Sequence, residues 1–331
     1  MRNNDIPWIE KYRPYRLSDI ISQDESINIL NNTLKTGELP HLLLYGNPGT
    51  GKTSSILSLC NQLFGERVSE RVLELNASDE RGINIVRHKI TNFAKLSIGT
   101  VDKKVLCPPY KIIILDEADA MTKEAQSALR KIMEDTSNIT RFCFICNYIN
   151  QIIEPINSRC VKIRFKPITA ECVVKKLEWI SKKEKINITN DVLLGIADIA
   201  NGDLRKGILI LQNTKYINIE SENLIIIRDD IYKMCNYISD TEMSYYLNII
   251  TNNNSIEDVI NVAKDIINKG YVFNSVLIKI INYLMISKTI SDLKKGKILF
   301  LIGMIEKNIN DGANYYIQLL KLFNNFIVLN T

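Results

Sequence analysis

Five short, almost unbroken apolar runs punctuate the first half of the chain: HLLLYG (41–46), RVLELNA (71–77), KIIILDE (111–117), RFCFICN (141–147) and CVKIRF (160–165). Runs this short, with little alternation between apolar and polar positions, predict strands covered on both faces, as in a parallel sheet. Between them, segments such as KTSSILSLCNQLFG and TKEAQSALRKIMED carry apolar residues at helical spacing. The alternation, from about residue 27 to 165, predicts a doubly wound α/β core with helices flanking a parallel sheet.

After Pro167 the strand signal fades. TAECVVKKLEWISKKEK and NDVLLGIADIANGDLRKGILILQNTKY have periodic apolar positions, with Gly202 and Asp203 interrupting between two helices. They predict a small helical domain. The remainder is rich in Ile, Leu and Tyr with Asn- and Lys-rich turns (TNNNSIED, KKGK) and predicts a third, all-helical unit. The expected division is 1–166, 167–227 and 228–331.

Composition narrows the class. At 331 residues the chain exceeds the usual single core, and 46% hydrophobic content with only 14 Gly and 8 Pro argues against disorder. The net charge of +5 permits a polyanionic partner without demanding one. Seven cysteines, an odd number, and an opening MRNNDIPWIEKYRP without a continuous apolar stretch favour a reducing interior. No apolar run is long enough for a membrane span, so no membrane partner is expected. Cys143 and Cys146 have a spacing that could begin a zinc site, but no second pair follows and the stretch reads as a buried strand. His41 and His88 are isolated, and core or surface placement explains each better than catalysis.

The strongest chemical signal is GNPGTGKT, Gly46, Asn47, Pro48, Gly49, Thr50, Gly51, Lys52 and Thr53, followed by Ser54. It follows a predicted strand and opens a predicted helix, the context of a P-loop: backbone N–H groups turn toward a phosphate, Lys52 reaches the outer phosphates, and Thr53 can ligate magnesium. IIILDEAD ends another strand with Asp116 and Glu117, which a parallel sheet delivers to the same carboxyl edge. There Asp116 can orient magnesium and Glu117 can polarise an attacking water. Asn147, closing the next run, can hold that water or sense a γ-phosphate; equally, an Asn can simply end a strand by turning. Ser78 and Asp79 read as helix caps, with Arg81 and Arg87 on or just before the helix that follows. Arg159, in EPINSRCVKI, reads by itself as a surface residue or an ion-pair partner. The segment 97–111 is expected to form a surface loop.

In order, WIEKYRP, GNPGTGKT, ELNASDERGI, LDEAD, CNY, NSRC and GDLRK resemble the small subunits of the eukaryotic clamp loader, replication factor C, continuously from about residue 7 to 216. The resemblance implies an AAA+ P-loop core, a helical lid that contains GDLRK, and an all-helical collar joining a hetero-pentamer. It implies binding and hydrolysis of ATP with Mg2+, the metal held by Thr53 and Asp116, to open the sliding clamp PCNA and load it on primer-template DNA in replication and repair, in the nucleus. Lys52, Glu117 and Asn147 would serve the subunit's own ATP, and Arg205 would touch it from the lid. Tyr12, Arg13 and Pro14 would lie beside the adenine. Arg159 matches the arginine finger aimed at the γ-phosphate held by a neighbour, and Arg81, Ile83 and Arg87 match positions near the DNA backbone. Two rivals remain: a scaffold subunit that does not hydrolyse, and another AAA+ DNA motor, which would be expected to carry a winged-helix segment at the C-terminus.

Overall fold

The five apolar runs form one parallel sheet: β1 (Leu42–Gly46), β2 (Val72–Asn76), β3 (Lys111–Asp116), β4 (Thr140–Cys146) and β5 (Val161–Phe165), in the spatial order β2-β3-β4-β1-β5. This is a computed structural model, and it describes residues 6–77, 89–94, 108–220, 226–253, 255–287 and 290–330. Ser78, Asp79, Arg81, Ile83, Arg87 and His88, with most of the expected 97–111 loop, lie outside the described residues.

Helices cover both faces of the sheet, which is why its central strands are apolar at successive positions. Leu42, Leu44, Ile112, Ile114, Cys143 and Ile145 pack on one side with Ile56 and Leu59 of the helix Lys52–Phe64. Leu43, Ile113, Leu115, Phe142, Phe144 and Cys146 pack on the other with Leu129, Ile132 and Met133 of the helix Lys123–Thr136. Alternation along β4 therefore puts Cys143 and Cys146 on opposite faces, where they cannot share one ion. Burial pushes both thiols up, Cys146 to about 12.

All strands run the same way, so the ends of β1, β3 and β4 deliver Gly46, Asp116 and Cys146 to one edge of the sheet, with Asn147 directly after. Pro155 stands in the first turn of a short helix, Glu154–Asn157. A missing N–H costs nothing in that turn. Arg159 follows it and precedes β5.

Contacts divide the chain into two compact units, Met1–Ile217 and Asn218–Thr331. Besides the sheet, the first holds the helices Ala170–Glu184, Asn190–Ala200 and Leu204–Glu220, the last running past the division. Asn201 (φ 46°) and Gly202 (φ 83°) break the chain between the last two. The second unit contains the helices Arg228–Met234, Asp240–Asn253, Ile256–Asn268, Phe273–Ile286, Asp292–Asn310 and Tyr315–Asn330 around a core including Leu247, Ile280, Ile305 and Phe323. Among the described residues it has no strand, so no winged-helix segment is found there. Among the described residues, no helix is long and apolar enough to cross a membrane.

Candidate active site

The loop from Gly46 to Gly51 turns tightly from β1 into the helix Lys52–Phe64. At Gly46 (φ 143°) a Cβ would stand 2.2 Å from the carbonyl oxygen of Phe165 on the neighbouring strand, so only glycine lets the loop leave the sheet there. Gly49 (φ 67°) is equally constrained: a Cβ would stand 1.7 Å from Asp203 Oδ1. The N-terminus of the helix that follows projects its unpaired N–H groups toward this loop, a ready anion site.

Lys52 is buried, and its ammonium donates to the carbonyls of Gly46 (2.7 Å) and Asn47 (2.8 Å) and to Asn147 Oδ1 (2.9 Å). Burial pulls its pKa down, while the charge of Asp116 opposes the shift. Next to it, Thr53 Oγ1 donates to Asp116 Oδ2 at 2.7 Å. A hydroxyl and a carboxylate, two hard oxygens at the mouth of a phosphate loop, suit a small hard cation such as Mg2+.

Glu117 adopts a left-handed backbone (φ 54°, ψ 39°), costing a residue with a Cβ about 1 kcal/mol or more. Its N–H bonds to Asp116 Oδ1 (2.8 Å), and the exposed side chain lines the cleft. Asp119, which the sequence reading left without a role, holds the facing wall: Oδ2 accepts from the backbone N–H groups of Asn147 (2.9 Å) and Tyr148 (3.1 Å). A carboxylate from the loop after β3 thus fixes the loop after β4 that carries Asn147.

These groups open into a cleft of about 190 Å³ lined by Pro48 to Ser54, Asp116, Glu117 and Asn147, by Tyr12, Arg13 and Pro14, and by Arg205 with Leu204 and Ile208. Ile9, Asp19, Ile20, Ile21, Ile168 and Lys176 complete it, none of them anticipated. Gly46 and Asn47 are not in the lining; they act by accepting from Lys52. Tyr12 is anchored by its hydroxyl to Glu184 Oε1 (2.5 Å), and its ring meets Trp8 and Trp179 edge-on. Glu184 also accepts from Lys11 and Lys215. Burial would raise its pKa, but hydrogen bonds from Lys11, Tyr12 and Lys215 outweigh it and bring the carboxyl down to about 2.

Arg159 does not line this cleft. It is exposed, with one nitrogen donating to the Pro155 carbonyl (2.7 Å) and another to Glu134 Oε1 (2.7 Å), the oxygen that also accepts from Arg130 Nε (3.1 Å). The structure therefore brings together every expected nucleotide residue of the first unit and leaves Arg159 apart from them.

Comparison with known proteins agrees along the chain. Residues 42–168 match the family described as "ATPase family associated with various cellular activities (AAA)", residues 175–215 the "RCF1/5-like, AAA+ ATPase lid domain", and residues 238–324 the "Replication factor C C-terminal domain". Replication factor C subunit 2 of Schizosaccharomyces pombe is 40% identical, with 98% of this chain and 94% of the relative covered. Subunit 2 of Saccharomyces cerevisiae is 41% identical (96% and 91%), and subunit 4 of Homo sapiens 40% (96% and 86%). The RuvB Holliday junction branch migration motor of Thermotoga maritima superposes with a TM-score of 0.54 at 16% identity, over 72% of this chain and 79% of that one, a likeness of fold alone.

Proposed function

From the premise that the chain belongs to the replication factor C family, with relatives at about 40% identity that include subunit 2 of yeasts and subunit 4 of humans, we propose how its residues divide the work of a clamp-loader small subunit. It is an AAA+ ATPase. The proposed domains are a nucleotide-binding core (1–166), a lid (167–227) and a collar (228–331).

ATP binds in the cleft at the carboxyl edge of the sheet. Tyr12, Arg13 and Pro14 flank the adenine, and the N–H groups of residues 48–54 cradle the phosphates. Lys52 already has its ammonium fixed by three acceptors and turns it toward the outer phosphates without searching rotamers. Glu117 polarises the attacking water, Asn147 orients it, and Arg205 reaches the phosphates from the lid. Thr53 and Asp116 would hold Mg2+, which when bound neutralises phosphate charge.

One observation carries the reading of catalysis across subunits: Arg159 is exposed and outside its own cleft, on a turn held by Glu134 and Pro155. An arginine so placed is accessible to a phosphate on another chain, as the family resemblance of NSRC implies. Supplying the last cation across a seam makes hydrolysis conditional on assembly and can contribute about 10³-fold or more. For assembly, the second unit offers Leu293, Phe300 and Met304, exposed at helical spacing on Asp292–Asn310, an apolar stripe suited to a partner's helices in a hetero-pentamer.

The partners proposed from the family are the other replication factor C subunits, PCNA and primer-template DNA, with Arg81, Ile83 and Arg87 touching the DNA backbone without reading sequence. The proposed place of action is the nucleus. The test is a reconstituted loader carrying Glu117→Gln in this subunit alone. Retained ATP binding with lower DNA-stimulated turnover is expected; an unchanged rate would make this subunit a scaffold.

A further inference from the structure

The lid and the phosphate loop meet through backbone as well as side chains. Asp203 Oδ1 caps the helix Leu204–Glu220 by accepting from Lys206 N–H (3.1 Å), and the same carboxylate fills the space where a Cβ of residue 49 would stand. Leu204 N–H, which has no partner inside its own helix, donates to the Gly49 carbonyl (3.3 Å). Behind it, Ile168 N–H donates to the Gly202 carbonyl (3.3 Å), and a Cβ on Gly202 would stand 3.0 Å from Pro167 Cβ. The three-residue turn before the helix is therefore held on one side by the segment after β5 and on the other by the phosphate loop. Arg205 is the second residue of that helix.

We propose that Asp203 is a positioning residue through which the lid senses the phosphate loop: it seats the first helical turn against Gly49 and so sets where Arg205 stands over the bound phosphates. The inference rests on the reading of Arg205 as a nucleotide contact. The physical route is short. Phosphate binding orients the loop's N–H groups, and a peptide that turns its N–H inward also moves its carbonyl. The Gly49 carbonyl is the acceptor for Leu204, so a change there reaches the helix start one residue from Arg205. The carboxylate keeps this joint in register by filling the one gap that glycine leaves.

A cap alone does not require this arrangement, because serine caps a helix about as well as aspartate. Serine is, however, one atom too short to reach Gly49 while bonding Lys206 N–H. The experiment measures, in the full chain, the Kd for a fluorescent ATP analogue and the thermal midpoint for wild type, Asp203→Ser, Arg205→Ala and the double variant. Asp203→Ser is expected to keep its thermal midpoint yet weaken the analogue about 5-fold or more, the low end of coupling between linked sites. The double variant should bind no more weakly than Arg205→Ala alone. Wild-type affinity in Asp203→Ser would reduce the residue to a cap and overturn the proposal. So would a full additional loss in the Arg205→Ala background, since Asp203 would then act by another route while the reading of Arg205 stood. An Arg205→Ala variant with wild-type affinity would instead remove the reading of Arg205, and the positioning role with it.

Discussion

Lys52 Nζ lies 2.9 Å from Asn147 Oδ1, a hydrogen bond that joins the phosphate loop after β1 to the residue after β4. Asn147 is in turn fixed through its backbone by Asp119. Removing the amide in Asn147→Ala leaves Lys52 with the carbonyls of Gly46 and Asn47, so the lysine should keep its place while a polar group lining the cleft is lost. Turnover at this subunit's site is expected to fall about 10²-fold, the scale for losing one preorganised polar group, with ATP affinity nearly unchanged. Asp119→Ala should lower the same rate by loosening the loop. Single-turnover hydrolysis in the assembled loader measures both; a loss confined to affinity would remove Asn147 from the catalytic step.

Glu117 lines the cleft from a strained left-handed turn, with its N–H bonded to Asp116 Oδ1. Glu117→Gln preserves size and backbone but removes the proton acceptor. A loss of about 10²- to 10⁴-fold at this site is expected, the usual range for a general base. ATP binding should be retained. If ATP binding itself collapsed, the residue would be holding the ligand rather than activating water.

Arg159 and Glu134 form an exposed pair, which contributes little to folding. Arg159→Ala should accordingly leave the thermal midpoint of the isolated chain and its own ATP affinity unchanged. In the assembled loader, hydrolysis at the neighbouring site is expected to drop about 10³-fold. A defect in the chain's own nucleotide binding would show that Arg159 serves its own cleft.

How much of this was legible beforehand follows from distance along the chain. The loop 46–53 and the pair Asp116–Glu117 were readable because each is a local pattern following an apolar run, and a parallel sheet brings such ends together. The five strands were readable for the same reason: burial on both faces leaves continuous apolar runs. Asp119 stood inside a quoted motif, yet its role depends on N–H groups of a different loop. Glu184 and Asp203 act on residues near the start of the chain or in the phosphate loop, and nothing local in KKEK or GDLRK signals those partners. The helix Asp24–Thr36 was not singled out because its polar surface obscures the buried positions Ile27 and Leu30.

Glu184 links the N-terminal segment that lines the cleft to the lid, accepting from Lys11, Tyr12 and Lys215 while its side chain is only 8% exposed. Those donors hold its carboxyl at about 2, against an ordinary 4.5. A carboxylate depressed in the folded state stabilises the fold fully above its unfolded pKa, and the contribution disappears as pH falls through the folded value. The window here runs from about pH 4.5 down to about pH 2. The magnitude is on the order of 2 kcal/mol, since both lysines are partly exposed and solvent screens them. Denaturant unfolding of the full chain between pH 7 and pH 2 should show the wild type losing its advantage over Glu184→Gln within that window. At pH 7 the variant should also bind ATP more weakly, because Tyr12 loses its charged acceptor. Parallel stability curves across the whole range would mean that the three donors do not depend on the charge of Glu184.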